Sequence, residues 1–136
     1  MTQKKVWIVP CNGIGKTYGS VARESAFIVT EDLRPERTAI MALSRLVPDD
    51  SDVRPDIQNS KSITIDGCKL SCAAKVVAET GGTVAHALQV LDVYRANREL
   101  KPAGIEELNE GGKKLAAVLA EGVAVLVDSM EDEHDA

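Results

Sequence analysis

Short β-branched runs alternate with helical stretches along this chain, and the alternation leaves few folds open to it. Lys5 to Val9 (KVWIV), Thr38 to Leu43 (TAIMAL) and Ser62 to Ile65 (SITI) read as buried strands, and Ala87 to Leu91 as a weaker fourth. After the first run, Ile14, Tyr18, Val21, Ser25 and Ile28 recur at spacings of four and three, which is one face of a helix. Asn12 is its candidate N-cap, and Pro35 stops it near Asp32. A second helix is expected from Cys68 to Glu79, closed by Gly81-Gly82. A third is expected from Ile105 to Val127, with Leu108, Leu115, Leu119, Val123 and Leu126 inward and Gly111-Gly112 weakening or splitting it. Residues 47–61 read as a polar connection with one helical turn near Asp56 to Ser60, and residues 94–104 as a second polar connection.

Strands separated by helices pair in parallel and need helices on both faces. The expected fold class is α/β: three layers, with a mostly parallel four-stranded sheet in the flavodoxin- or Rossmann-like order 2-1-3-4. That order sets the first strand beside the third. At 136 residues the chain makes a single domain, placed at 1–128, followed by an acidic, disordered tail at 129–136. A net charge of −5 and an aromatic content of 3% argue against a nucleic-acid surface. No apolar run approaches the roughly 18 residues of a membrane helix. The apolar stretch from Val6 to Pro10 is too short for a signal peptide. A cytoplasmic protein is expected, with a small molecule or another protein as its partner and neither nucleic acid nor membrane. The oligomeric state is not specified by the sequence.

There are three cysteines, Cys11, Cys68 and Cys72. An odd number in a reducing compartment argues against structural disulfides and leaves metal binding, thiol chemistry or plain burial. Cys11 falls just after the first strand and Cys68 just after the third. If these strands are parallel neighbours, both thiols lie at the carboxyl edge of the sheet, where open α/β sheets hold ligands. Cys68 and Cys72 are one helical turn apart at the start of a helix, and Cys11 precedes another. Helix N-termini favour thiolate over thiol.

The segments PCNGIGKTYGSVARESA and IDGCKLSCAAKVV resemble the DGC family, named for its Asp-Gly-Cys motif and taken to bind zinc through four cysteines. Here the motif is Asp66-Gly67-Cys68, and Cys72 completes a Cys-x-x-x-Cys. The second signature is Cys11 to Lys16, and the Gly-Ser-Val-Ala-Arg-Glu run is Gly19 to Glu24. The resemblance spans roughly residues 5 to 92. It implies zinc held by Cys11, Cys68 and Cys72 at the carboxyl edge of the sheet, with Asn12, Gly13, Gly15, Lys16 and Gly67 forming the loops around the site. The family's remaining cysteine lies at the end of the second strand, where this chain has Ala42. Asp66, Asp92 or a water are the candidates for the fourth position. Three protein ligands plus water is the pattern of an open zinc site. His86 is expected at the start of the fourth strand, on the opposite edge, and His134 in the tail.

Two alternatives stand beside metal binding. One is a thiol-redox protein in which Cys68 or Cys72 is the nucleophile and another thiol resolves it. The other is a metal-free family member that persists as a binding module. PCNGIGKT also approaches a phosphate-binding loop, but Pro10 stands where the first glycine is required. Asp66 has a simpler role available as the N-cap of the Cys68 helix. Whether the protein is an enzyme is not specified by these residues.

Overall fold

The computed structural model describes residues 5–11, 17–46, 54–67, 72–104 and 107–135. In chain order the elements are β1 (Val6–Pro10), α1 (Thr17–Phe27), β2 (Thr38–Ile40), α2 (Leu43–Leu46), α3 (Arg54–Gln58), β3 (Lys61–Asp66), α4 (Cys72–Glu79), β4 (Thr83–Gln89), α5 (Val90–Ala96) and α6 (Glu110–Asp135). The strands form one four-stranded sheet in the order β2-β1-β3-β4. Every pairing is parallel. The three-layer α/β fold and the 2-1-3-4 order expected from the sequence are both present. The chain steps one way from β1 to β2 and the other way from β3 to β4. Right-handed crossovers then put α1 and α4 on opposite faces. The packing agrees: α1, α5 and α6 pack on one another, while α4 packs with α2.

Register sets which residues share a face. Trp7 pairs with Ser62, Ile8 with Ile63, Val9 with Thr64 and Pro10 with Ile65. Partners in a parallel pair point the same way and neighbours along a strand alternate. Ile8, Ile63 and Ile65 thus line one face, and Val9, Ser62, Thr64 and Asp66 the other, all of them buried. Trp7 lies on that second face too, and its indole N–H donates to the Asp56 carbonyl at 3.2 Å, tying β1 to α3.

Several boundaries differ from expectation for identifiable reasons. The end of the first helix is not one of them: α1 runs on into a π-helical turn, Ile28–Leu33, and stops before Pro35 as expected, where the Arg34 amide donates to the Val29 carbonyl at 2.7 Å. β4 begins at Thr83 rather than Ala87, because α4 closes without a loop. Gly82 donates its amide to Val77 and Gly81 to Ala78, a Schellman pair, with Gly81 at φ 88°. Leu91, expected in the strand, lies in α5, and α5 itself falls where a polar connection was expected to start. Its inward positions Val90, Val93 and Tyr94 are spaced by three and one, a single helical face.

The last helix begins at Glu110, not Ile105. Asn109 is its N-cap: its Oδ1 accepts the Gly112 amide at 2.7 Å and also the Ala103 amide at 2.9 Å. Gly111-Gly112 therefore lie in the opening turn and do not split the helix. At the other end, the helix extends through Asp135. Met130 is buried, so the apolar stripe of Leu115, Leu119, Val123 and Val127 runs past the expected domain end at residue 128 into the segment expected as a disordered tail. Among the described residues no helix is long and apolar enough to cross a membrane.

Candidate metal centre

Cys11 lies immediately past β1, 7% exposed and within the hydrophobic core. Its amide donates to the Ile65 carbonyl at 2.9 Å, which extends the β1–β3 ladder by one step and sets it level with Asp66. One residue further along that ladder, the Gly67 amide donates to Cys11 Sγ at 3.1 Å. The Asp-Gly step of the motif therefore touches the first cysteine through a backbone N–H. Gly67 is buried against the opening of α1. A Cβ there would stand 2.9 Å from the Gly19 nitrogen and 2.9 Å from the Tyr18 carbonyl carbon. Only glycine lets the two backbones approach this closely.

Asp66 is 1% exposed, and its two carboxylate oxygens face the start of α4. Oδ1 accepts the Ala73 amide at 2.8 Å and Oδ2 the Ala74 amide at 3.4 Å. The carboxylate thus satisfies two of the free N–H groups that every helix start carries. Burial pushes the Asp66 carboxyl above the ordinary aspartate range, while the two amides and the charge of Lys75 pull the other way. Asp66 acts as the cap of α4. Cys72, the residue before the capped pair, is exposed at the first position of α4 and carries a free thiol.

Residue by residue, then, the structure joins Gly67 to Cys11 by direct contact and places Cys72 at the head of the helix that Asp66 caps. Asn12, Gly13, Gly15, Lys16 and Cys68 lie outside the described residues. Cys68 follows Gly67 directly in the chain. Among the described residues, no group of three His, Cys, Asp or Glu side chains is placed to hold a metal. Asp92 lies in the first turn of α5, exposed, with its carboxylate 4.0 Å from Arg95. His86 is mid-strand in β4, paired with Ile63 and away from the carboxyl edge, rather than at the strand's start. Ala42 is exposed two residues past β2, on the strand that flanks β1.

A family model, the DGC domain, matches residues 7–112. The chain belongs to the DGC family. No curated protein and no solved structure matches it. The match to the DGC domain runs from within β1 to the opening turn of α6, and most of α6 lies beyond it. Two features of the DGC domain's edge were missed from sequence. The Gly67 amide is a backbone donor, and no side-chain motif announces one. Tyr94 packs on Tyr18, whose backbone lies against Gly67, with ring centroids 6.2 Å apart and planes tilted by 40°. The helical spacing of Val90, Val93 and Tyr94 was a signal that could have found it.

Proposed function

We propose that this DGC-family protein is a thiolate metal-binding protein, with zinc as the favoured ion, held by Cys11, Cys68 and Cys72. One observation carries the reading: the Gly67 N–H to Cys11 Sγ bond, which brings the turn leading into Cys68 onto the first cysteine. Metal-bound thiolates are tuned by backbone donors of this kind. The donor set also fits the ion, since soft thiolates suit zinc. When bound, zinc would supply a Lewis acid with one position left to water or a carboxylate, because Ala42 stands in place of the family's fourth cysteine. The chain's own contribution is to hold the sulfurs at the sheet edge and shield Cys11 from solvent. The protein works in the cytoplasm, on a small molecule or protein partner.

The exposed thiol of Cys72 at the head of α4 favours a second reading, thiol-redox chemistry. Elemental analysis of protein purified without chelator decides between them. Zinc near one equivalent supports the first reading. Absence of metal, with thiol counts that change on adding reductant, supports the second. Absence of metal with unchanged thiol counts points to a metal-free binding module.

A further inference from the structure

We infer that Asp66 and Gly67 are positioning residues for the other two thiols: Gly67 sets Cys11 through its amide, and Asp66 sets Cys72 by gripping the start of α4. The inference deepens the metal-binding reading and rests on it for the identity of the ligand, but not for the geometry. In the sequence Asp66-Gly67-Cys68 each residue then serves a different cysteine. Cys68 contributes its own sulfur. Gly67 donates to Cys11 Sγ at 3.1 Å and, having no Cβ, lets the turn close against the Tyr18–Gly19 backbone. Asp66 accepts the amides of Ala73 and Ala74, the two residues that follow Cys72, so the head of α4 is tied to the end of β3.

The physical consequence is preorganisation. Two consecutive residues fix Cys11 and the head of α4, which carries Cys72, so a metal would meet ligands part of whose ordering cost is already met by the fold. A carboxylate in this role need not touch the metal. Both Asp66 oxygens are already engaged by the helix, and its work is done through the backbone of α4.

The test uses the full chain and two variants, Gly67→Ala and Asp66→Asn. Asparagine keeps one oxygen for the Ala73 amide and turns an NH2 group toward the Ala74 amide. A third variant, Val127→Ala, is the control. Val127 is buried beside the Arg34–Asp128 contact, which lies at the opposite edge of the sheet, so it lowers stability without touching the cysteine edge. The first readout is Co2+ titration followed by its thiolate charge-transfer absorption. Loss of a group that orients metal ligands costs about 10–100-fold in affinity, and that loss is expected for both site variants and not for Val127→Ala. The second readout needs no metal: alkylation rates of each cysteine, resolved by peptide mass spectrometry. Gly67→Ala is expected to raise the Cys11 rate by about tenfold or more as the buried sulfur is uncovered, with the already exposed Cys72 nearly unchanged. Should Gly67→Ala fail to fold, Asp66→Asn carries the test through the Co2+ affinity and a changed Cys72 rate.

Equal Co2+ affinity in wild type and both folded site variants, together with unchanged alkylation, overturns the inference and leaves metal binding standing. Equal affinity losses in Val127→Ala also overturn it, since stability alone would then explain them. If wild type takes up no Co2+ while the alkylation rates change as stated, the metal reading fails and the positioning of the thiols stands.

Discussion

Ala42 lies two residues beyond β2 with its side chain exposed, and its carbonyl accepts the Arg45 amide that opens α2. β2 flanks β1, so Ala42 reaches the carboxyl edge on the strand next to Cys11. If the cysteines hold zinc as proposed, a single side chain here separates an open coordination shell from a closed one. Ala42→Cys adds one sulfur at an exposed position, where substitutions shift stability by no more than about 0.5 kcal/mol. A fourth thiolate would displace a water or carboxylate and complete the tetrahedron. Zinc binding is therefore expected to tighten by about tenfold or more, measured by competition with a chromophoric chelator. Unchanged binding would mean that the position does not face the thiols. At Gly81 the backbone carries the argument: φ is 88° and a Cβ would stand 3.0 Å from Gln58 Nε2. Gly81→Ala is expected to lower stability by roughly 1 kcal/mol or more, the cost of a left-handed residue with a side chain, read as a fall in the urea midpoint.

Elements were legible where a pattern is long and failed where it is short or interrupted. The buried runs around Ile8 and Ile63 are unbroken, so β1 and β3 were placed nearly correctly and the strand order followed from alternation. β4 is half-exposed and alanine-rich, and its pairing slips between Ser62 and Ile63, so its period carries little signal. α5 is 7 residues long and was hidden by its polar face. Of the candidate site, the cysteines and Asp66 were visible because side chains carry their chemistry. The Gly67 donor was not, because its chemistry is backbone. Between elements, the π-helical turn is fastened to α6 by Arg34, whose Nε and Nη2 donate to the Asp128 carboxylate at 2.8 and 2.7 Å, and by Arg37 at 3.3 Å.

The Arg34 hydrogen bonds, then the charges of Arg34 and Arg37, hold the Asp128 carboxyl below the ordinary aspartate range. A depressed folded-state value means that the fastening contributes stability above the unfolded pKa of about 3.9. That contribution is lost as pH falls through the lower folded value. Asp128→Asn is expected to melt below wild type at pH 7 and to converge with it as acid protonates the wild-type carboxylate. A gap in melting temperature that stays constant as the solution is acidified would show that packing rather than charge is what the substitution removes.

At the scale of the whole molecule, the thiol edge meets the stabilising core at Cys11, while Cys72 stands exposed outside it. The core is built from Ile8, Val9, Val21, Ile63, Ile65, Val77, Val90 and the inward stripe of α6, and Cys11 joins it. Domains of this size bury roughly two-thirds of the surface that their unfolded chains expose, so a metal staple is not required for folding. Leu115 is fully buried in that stripe, and Leu115→Ala is expected to cost about 2–5 kcal/mol whether or not metal is present. Removal of metal should act differently. Chelator-treated protein is expected to keep its far-ultraviolet circular dichroism, because sheet and helices close without the site. Zinc added at about 100 times its dissociation constant should then raise stability by roughly 2.7 kcal/mol, as mass action requires for a ligand that binds only the folded state. The two changes are expected to add, as effects at independent sites do. Loss of circular dichroism on chelation would instead make the ion part of the fold, in the manner of small zinc domains that are unfolded without it, and the Leu115→Ala cost would then depend on whether zinc was bound.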